Sequence, residues 1–568
     1  MEFEAVWVPQ PATARARRTP LSYNARTDQI AYPSGHLAIL RAVADPTTAV
    51  VYTQHAKPVT AVAIAPSGFY AASTDLSGQA YVWATDGDLV TKGPYGSVQT
   101  PRDVAWDFES KRLIVVGDGK DKFGVAITAD SGNSVGEISG HAAPINAVAI
   151  RPTRPLRAVT VDDENKVAFF TGVPFKFSRS CTGHTNSVSD VKFSPDGTRF
   201  ATVGMDKKVG VWDGDSGDFV KWVETGHTGG ILAVDWLDNV TLVTASTDKS
   251  VRTTAIDDPA QSTVFQLSDN VANQQVGVVA TKEYIVSLAL DGTLYYWSAA
   301  ATEPVRVIRG HQKAITALGV DTDIFSASIE GSILQWNDGK ATIIPAHSAP
   351  VVSIAIDDGV WSASWDKKVI KKGGKTINLQ HQPVQTAVRN GKVASISEEA
   401  LEYDGKVAPI VNGQAVDVSA DLIAVGTGNS VALYDLDLKL VHKFEPLRAY
   451  ISAVKFSPDG KLLAAGDRSG KIVLYKVEDK SIVTSRWAFH NSTVKSIEWH
   501  PSGKFVVTAG SDCSIYVYSV VRPARNLKAL DSHKDGVNAA KWVDESTIVS
   551  GGADGCIKLW KVSLASLE

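Results

Sequence analysis

Apolar and polar residues alternate in short runs along almost the whole chain, and turn-forming residues separate these runs. The segment from Gly183 to Asp213 is the clearest example, because its runs VSDVKFS and RFATVG alternate and are followed by VGVWD. Alternation with a period of two is typical of β-strands that bury one face. Ser-Pro-Asp-Gly at 194–197 and Met-Asp-Lys-Lys at 205–208 lie between the runs and favour tight turns. With DFVKWVE as a fourth run, the pattern predicts a four-stranded antiparallel unit.

This unit recurs at a nearly fixed interval, and a histidine precedes the first strand of many copies. The successive gaps between these histidines are 86, 43, 43, 84, 36, 143 and 43 residues, and many copies end in Trp or Tyr. A period of about 40–45 residues with a Gly-His start and a Trp-Asp end is typical of WD40 β-propeller blades. The histidines concerned are His55, His141, His184, His227, His311, His347, His490 and His533.

The number of units predicts how many propellers the chain forms. Four strands to a blade divide residues 21–562 into fourteen units, whereas one propeller ring usually holds about four to eight blades. We therefore predict an all-β protein with two seven-bladed WD40 propellers, at residues 9–309 and 310–568. Two units, around residues 384–434, lack His and Trp landmarks and are assigned from spacing.

The ends of the chain indicate how the second ring closes. Only eight residues follow Trp560, too few for a turn and an outer strand. The strand-like segment 3–8 precedes the strands of the first unit, and the seventh unit already has its own fourth strand at 304–309. An open edge would leave backbone groups unpaired. We therefore expect strand 3–8 to close the last blade by pairing with the strand around Ile557–Lys561.

Composition narrows the choice of partners and compartment. The chain has 568 residues, 44% of them hydrophobic, and a net charge of −4, which gives no overall attraction to nucleic acid or to an anionic membrane. No apolar run reaches about 18 residues, so we expect no membrane span. The three cysteines lie in different repeats without C-x-x-C spacing, which predicts neither disulfides nor zinc and favours a reducing, cytoplasmic compartment. We interpret the cluster Arg15, Arg17 and Arg18 as a solvated linker.

Two sets of residues resemble a catalytic triad. They are His184, Thr202, Asp206 and Trp212 in one unit, and His533, Ser550, Asp554 and Trp560 in another. A hydrolase could use such side chains, but an active site is a single constellation, and this pattern repeats. We interpret the sets as buried hydrogen-bond networks. The sequence therefore predicts no enzyme, no metal and no cofactor.

Three further motifs contain residues that could bind a ligand or a partner. GDGKDKFG at 117–124 lacks the Gly-Lys-Ser/Thr of a phosphate loop and precedes a strand, so we expect no nucleotide site. We expect the rings of both Phe175 and Phe177 to pack in the core. The alternative is that one of the two rings is exposed and anchors an interface. A group of lysines flanks the blade turns, and we expect their charges to be solvated. The alternative is that they form a basic rim that faces an acidic partner. These lysines are Lys207, Lys208, Lys367, Lys368, Lys371 and Lys372.

The motifs at 117–124, DDENKV at 162–167, PFKFSRSCTGHTNSV at 174–188 and VKFSPDGTRFATVGMDKKVGVWDGDSG at 191–217 resemble the actin-interacting protein 1 family. This resemblance implies a fourteen-bladed, non-enzymatic protein of the actin cytoskeleton that acts with cofilin/ADF. Such a protein binds cofilin-decorated actin filaments and accelerates their severing and disassembly. By motif, the resemblance implies that Asp121, Asp163 and Phe177 on the first propeller bind these partners.

Two other functions remain open. A generic WD40 scaffold of another multiprotein complex would share the fold without needing the motifs between 117 and 217. A propeller enzyme would need convergent acids or metal ligands at one channel mouth, and the sequence offers none. We expect a monomer that binds neither nucleic acid nor membrane, with Asp121, Asp163 and Phe177 brought together on one face of the first ring.

Overall fold

Strands and the turns and loops that connect them make up almost the whole of the computed structural model, which describes residues 1–299, 301–344 and 347–567. Within these ranges, 56 strands form fourteen four-stranded antiparallel sheets, which confirms the predicted fold of two seven-bladed propellers. The chain divides into a unit at Gln10–Gln312 and a unit that combines Met1–Pro9 with the residues from Lys313 onward. We number the blades 1 to 14 along the chain. The first strand, β1 (Glu2–Trp7), belongs to blade 14.

The first propeller contains blades 1 to 7, and a short 3-10 helix at Val271–Asn273 precedes its last blade. Its strands are β2 (Ser22–Asn24), β3 (Gln29–Ser34), β4 (Leu37–Ala42) and β5 (Ala49–Tyr52) in blade 1; β6 (Val59–Ile64), β7 (Tyr70–Asp75), β8 (Gln79–Ala84) and β9 (Thr91–Gly96) in blade 2; β10 (Thr100–Trp106), β11 (Arg112–Asp118), β12 (Gly124–Thr128) and β13 (Ser134–Glu137) in blade 3; β14 (Ile145–Ile150), β15 (Arg157–Asp162), β16 (Val167–Thr171) and β17 (Lys176–Cys181) in blade 4; β18 (Val188–Phe193), β19 (Arg199–Gly204), β20 (Val209–Asp213) and β21 (Phe219–Val223) in blade 5; β22 (Ile231–Trp236), β23 (Thr241–Ser246), β24 (Ser250–Ala255) and β25 (Ser262–Gln266) in blade 6; and β26 (Gln275–Ala280), β27 (Ile285–Ala289), β28 (Leu294–Trp297) and β29 (Arg306–Ile308) in blade 7.

The second propeller contains blades 8 to 14, and a 3-10 helix at Leu564–Ser566 follows its last strand. Its strands are β30 (Ile315–Val320), β31 (Ile324–Ser328), β32 (Ile333–Asn337) and β33 (Lys340–Ile344) in blade 8; β34 (Val351–Ile356), β35 (Val360–Ser364), β36 (Lys368–Lys371) and β37 (Thr376–Asn378) in blade 9; β38 (Gln385–Arg389), β39 (Lys392–Ile396), β40 (Ala400–Tyr403) and β41 (Lys406–Pro409) in blade 10; β42 (Gly413–Val418), β43 (Leu422–Thr427), β44 (Ser430–Asp435) and β45 (Leu440–Lys443) in blade 11; β46 (Ile451–Phe456), β47 (Leu462–Asp467), β48 (Ile472–Lys476) and β49 (Ile482–Trp487) in blade 12; β50 (Val494–Trp499), β51 (Phe505–Gly510), β52 (Ile515–Ser519) and β53 (Asn526–Ala529) in blade 13; and β54 (Val537–Trp542), β55 (Thr547–Gly552) and β56 (Ile557–Lys561), with β1, in blade 14.

The core lies between neighbouring sheets of each ring. Between blades 4 and 5, for example, Phe169 of one sheet packs against Phe200 of the next, and both are buried. The first strand of each blade is innermost, because the first strands of neighbouring blades pack against one another around the channel. Most of these inner strands carry a β-bulge near their start, such as the ones between Pro101 and Asp103 or between Ile145 and Ala147. A bulge re-aims a side chain, and these bulges place residues such as Arg102 at the channel mouth.

The N-terminal strand completes the second ring. Strand β1 pairs antiparallel with β56, with Phe3 opposite Trp560 and Trp7 opposite Ile557. Trp7 also stacks on Trp336 of blade 8, with ring centroids 5.1 Å apart. One strand therefore supplies the outer edge of blade 14 and packs against the neighbouring blade.

The segment from Gln10 to Thr19 lies across the channel mouth of the first propeller. Hydrogen bonds hold it there, including Ala12 N–H to the Pro33 carbonyl (3.0 Å) and Thr19 N–H to the Val276 carbonyl (2.9 Å). Arg15 and Arg17 are exposed, but the Arg18 side chain is buried. Its guanidinium binds Asp103 (3.0 Å) and Asp190 (3.1 Å), which lie on inner strands of blades 3 and 5. The interpretation of this cluster as a solvated linker was therefore wrong for Arg18.

Candidate functional site

The repeated His–Asp sets are buried networks within blades. His184 Nδ1 lies 2.9 Å from Asp206 Oδ2, and His184 Nε2 lies 2.8 Å from Thr202 Oγ1. Thr202 Oγ1 also accepts a hydrogen bond from the Trp212 indole N–H (2.8 Å). Burial raises the pKa of Asp206, but hydrogen bonds from His184 and from backbone N–H groups outweigh it and lower the pKa. His533, Ser550, Asp554 and Trp560 make the same contacts in blade 14.

The contact recurs in other blades, as His55–Asp75, His141–Asp162, His227–Asp248, His347–Asp366 and His490–Asp512. A network that repeats in this way, and whose imidazoles are buried, holds the loop before a blade to the blade itself. It offers no single exposed nucleophile and base, which nucleophilic catalysis requires.

The Asp162–Asp163 pair in blade 4 divides its two carboxylates between different roles. Asp162 ends strand β15 and is buried, where it contacts His141 Nδ1 (2.7 Å) and accepts the backbone N–H groups of Glu164 and Lys166 (2.9 Å each). Asp163 begins the following loop and has a side chain that is 43% exposed. Asp162 therefore belongs to the scaffold, and Asp163 faces solvent.

Asp163 is held in place by three side chains from three consecutive blades. Its carboxylate accepts hydrogen bonds from Arg102 Nη1 of blade 3 (2.8 Å) and from Asn146 Nδ2 of blade 4 (2.8 Å). Ser187 Oγ, directly before blade 5, donates a third (3.2 Å). Burial raises the pKa of Asp163, but these hydrogen bonds and the Arg102 charge lower it below its ordinary value. Asp163 is thus an ionised carboxylate with a fixed orientation at the channel mouth.

Sequence reasoning missed Arg102, Asn146 and Ser187 as partners of Asp163. Arg102 and Asn146 are the bulge residues of their inner strands, and Arg102 also donates to Asn146 Oδ1 (2.6 Å). A polar residue near the start of the first strand, as at Arg102 and Asn146, is a signal that sequence could have supplied for two of the three. That these positions meet around one carboxylate depends on the ring geometry.

Asp121 lies in the loop between β11 and β12 of blade 3, and it is exposed. The loop turns tightly, because a Cβ at Gly119 would lie 2.3 Å from the Lys122 carbonyl oxygen, so only glycine fits there. Among the described residues, no hydrogen bond or ion pair engages the Asp121 carboxylate. Its charge is therefore available to a partner.

Phe175 and Phe177 differ in burial. Phe175 is 1% exposed and packs in the core between blades 3 and 4. Phe177, on the outermost strand of blade 4, is 41% exposed. One side of its ring packs against the edge of Phe170 (6.0 Å) and covers Gly140, where a Cβ would lie 2.7 Å from the ring. The prediction of core packing for both rings was wrong for Phe177.

The structure brings two of the three predicted residues to one face. In an antiparallel meander, every loop between second and third strands lies at the same end of the sheet, so the loops of Asp121 and Asp163 share one face of the first propeller. Phe177 pairs with Phe170, three residues along β16 from its start at Val167, or about 10 Å down the side of the blade. Within the described ranges, no hydrogen bond, ion pair or ring contact joins the three side chains.

The channel mouth beside Asp163 encloses a cavity of about 400 Å³, lined by the segment 12–20 and by inner-strand residues such as Arg102 and Asn146. Across the part of the chain that the structure describes, no three or more His, Cys, Asp or Glu side chains are placed to hold a metal ion. In the same ranges, no helix is both long and apolar enough to span a membrane.

Two family descriptions match parts of the chain. The family described as "WD domain, G-beta repeat" matches residues 47–84, 175–213, 220–253 and 524–561. The family described as "Eukaryotic translation initiation factor eIF2A" matches residues 422–523. This second match spans strands β43 to β52 of the second propeller.

Relatives match over almost the entire length. The 66 kDa stress protein of Physarum polycephalum is 33% identical, over 99% of this chain and 99% of the relative. WD repeat-containing protein 1 of Gallus gallus is also 33% identical, again over 99% of both chains. Actin-interacting protein 1 of Drosophila melanogaster is 32% identical, over 99% of this chain and 98% of its own.

Proposed function

Because the chain belongs to the family of WD repeat-containing protein 1 and actin-interacting protein 1, we propose that it binds actin filaments and works with cofilin/ADF to sever and disassemble them. The observation that carries this proposal is the similarity, along 99% of the chain, to a relative named for its interaction with actin. A generic WD40 scaffold for another multiprotein complex is the alternative.

The first propeller presents side chains that suit such partners. Asp163 is an oriented carboxylate, Asp121 is an unpaired one, and Phe177 exposes part of an aromatic ring. The two acids pair with basic groups on cofilin or actin, and Phe177 is an apolar anchor on the side of the blade. Binding energy that favours a strained, cofilin-bound filament over a relaxed one shifts the filament toward breakage.

No chemical step is required of the chain, and we propose that it is not an enzyme. The domains are proposed as 9–309 and 310–568, the second closed by strand 3–8. The protein acts as a monomer in the cytoplasm, at the actin cytoskeleton, without nucleic acid, membrane or cofactor. Co-sedimentation with actin filaments, with and without cofilin, tests the assignment directly, because a scaffold for other complexes stays in the supernatant in both cases.

We expect Asp121→Ala, Asp163→Ala and Phe177→Ala each to weaken cofilin-dependent filament disassembly without unfolding the protein. Truncation of a hot-spot residue at the centre of an interface costs roughly 2 kcal/mol or more of binding free energy. The measurement is filament severing in the presence of cofilin, followed by microscopy, with a melting curve for every variant.

Phe219→Ala is the matched control for Phe177→Ala. Phe219 has the same position in blade 5, where it pairs with Trp212 and is 46% exposed. Lys367→Ala, an exposed turn residue of the second propeller, is the control for charge. Severing at the normal rate by a folded triple variant would exclude this site, and a complete lack of effect of the unmodified protein on cofilin-bound filaments would exclude the function itself.

His184→Ala separates a structural histidine from a catalytic one. The substitution leaves Thr202 and the ionised Asp206 without their buried partner, so we expect a loss of roughly 1–3 kcal/mol in the free energy of unfolding. His533→Ala should cause a similar loss, because the same network is present in blade 14. Denaturant titrations measure the stability, and severing is assayed at a temperature where every variant is folded. Normal stability combined with lost activity would contradict the structural role.

A further inference from the structure

The channel of the second propeller opens into a cavity of about 930 Å³. Its walls come from the inner strands of all seven blades of this ring, between Thr316 and Trp542. In the first propeller, the cavity at the mouth is about 400 Å³, and the segment Gln10–Thr19 forms part of its wall. The lining of the second cavity includes no such crossing segment.

The first propeller shows what this kind of channel mouth accepts. An extended stretch of chain lies across it, and Arg18 reaches from that stretch to Asp103 and Asp190 on the inner strands. Recognition there combines backbone hydrogen bonds with one charge that is complementary to the wall. The channel mouth of the second propeller is built from blades of the same kind. Different side chains line it, so it should accept a different ligand.

One sector of the second mouth is apolar. Ile329 and Trp365 each follow the second strand of their blade and are each 48% exposed. Their backbone N–H groups bind the carbonyl that precedes the first strand, at Ala314 and Pro350, which is the position that Asp163 holds in blade 4. Val384 adds a third exposed apolar side chain from blade 10. An indole beside aliphatic side chains at a cavity mouth is typical of a peptide-binding anchor site.

The opposite sector is basic. Arg468 holds the same position in blade 12 as Trp365 holds in blade 9, and it is exposed over the ring of Tyr450 (5.6 Å). Its guanidinium donates to the neutral Gln414 side chain (2.8 Å). Lys495, the bulge residue of β50, is also exposed. Among residues 1–299, 301–344 and 347–567, neither cation has an acidic side chain within ion-pairing distance.

The charges deeper in the channel compensate one another. Asp417, Lys455, Glu498 and Lys541 have the same register position on four consecutive inner strands. Lys455 Nζ lies 3.0 Å from Asp417, and Lys541 pairs with Glu498. Among the charged residues that line this cavity, Arg468 and Lys495 are therefore the two without an acidic partner, and they attract a negative ligand.

We propose that the mouth of the second propeller binds a short acidic segment of a partner protein, with an apolar side chain of that segment seated against Trp365 and Ile329. Carboxylates of the segment pair with Arg468 and Lys495. Basic and neutral segments are disfavoured, since they leave the two cations without partners. This surface is separate from Asp121, Asp163 and Phe177, so the proposal does not depend on the function assigned to them.

The test selects a display library of short random peptides on the full-length protein and then measures the affinity of enriched peptides by fluorescence anisotropy. We expect enriched peptides to carry Asp or Glu beside an aromatic or branched aliphatic residue. The double variant Arg468→Glu, Lys495→Glu and the single variant Trp365→Ala should each weaken binding by about tenfold or more. Lys504→Glu is the matched control, because this exposed lysine lies between β50 and β51, at the other end of its blade.

Melting curves establish that each variant is folded, and the exposed Arg468→Glu change alone serves if Trp365→Ala is unstable. A fall in affinity with added salt supports the ionic contacts. Enrichment of basic or neutral peptides, the absence of any enriched peptide, or equal binding by the double variant and the Lys504→Glu control would each overturn the proposal.

Discussion

Deletion of residues 1–9 is expected to destabilise the second propeller severely while the first propeller stays folded. The deletion removes the fourth strand of blade 14, together with the contacts of Phe3 on Trp560 (5.7 Å) and of Trp7 on Trp336 (5.1 Å). Phe3 is 52% exposed and Trp7 is partly buried, so each contributes less than the roughly 3–5 kcal/mol of a fully buried aromatic, and the lost strand pairing adds to this. Denaturant unfolding, combined with limited proteolysis and mass mapping of the fragments, measures the stability of each ring.

Two point variants separate the contribution of the β1 side chains from that of its backbone pairing. Trp7→Ala keeps the backbone ladder of β1 and should cause an intermediate loss, whereas Glu2→Ala changes only an exposed side chain of the same strand and should be close to neutral. The deletion also uncovers β56, and an open edge strand promotes pairing between chains. Light scattering should therefore report association of the truncated protein. Equal protease resistance of both rings after the deletion would contradict the role assigned to β1.

Arg18→Ala is expected to destabilise the first propeller by about 3–5 kcal/mol, the typical cost of leaving a buried charge without its partner. Asp103 and Asp190 are both buried, with side-chain exposures of 7% and 1%, and both bind this guanidinium. Arg17→Ala, one residue away and exposed, is the control and should be neutral. Arg18→Lys keeps the positive charge but cannot bind two carboxylates with one guanidinium. Its loss of stability should therefore be smaller than that of Arg18→Ala.

The loss of stability caused by Arg18→Ala should depend on pH. Burial raises the pKa of the Asp190 carboxyl, and the charge of Arg18 opposes this effect. Without Arg18, burial and the nearby Asp103 charge raise this pKa further, and only the Lys192 charge and the Val234 N–H still oppose them. The folded state therefore takes up a proton that the unfolded state binds only at lower pH. Its stability then rises relative to the unmodified protein as the pH falls toward the raised pKa. Denaturant titrations at about pH 7 and about pH 5 measure this, and a deficit that grows on acidification would contradict the assignment.

The blades were predictable because their signal is local and repeated. Alternating runs, turn residues and the spacing of histidines define a blade within one stretch of chain. The units around 384–434, which lack His and Trp landmarks, nonetheless form blades 10 and 11. The His184 network could be inferred in the same way, since its members lie in one repeat and bury polar atoms that need partners.

The surroundings of the candidate residues were only partly predictable. Sequence alone could locate Asp121 and Asp163 in loops, because glycine and acidic residues interrupt the apolar runs there. It could not show that Asp162 is buried on His141 while Asp163 is bound by Arg102. The exposure of Phe177 was equally hidden, because Phe175 and Phe177 are two residues apart, and alternation along a strand would place both rings on the same face.

For this protein, the sequence by itself determined the all-β class, the fourteen blades and the scaffold role of the repeated histidines. These properties depend on contacts between residues close together in the chain. Only the tertiary structure decided that Arg18 inserts between Asp103 and Asp190, and that Arg468 and Lys495 have no acidic partner among the described residues that line the second cavity. Ring closure brings inner strands from distant repeats around one channel, and the burial and charge balance of a side chain there depend on residues that no local pattern connects to it.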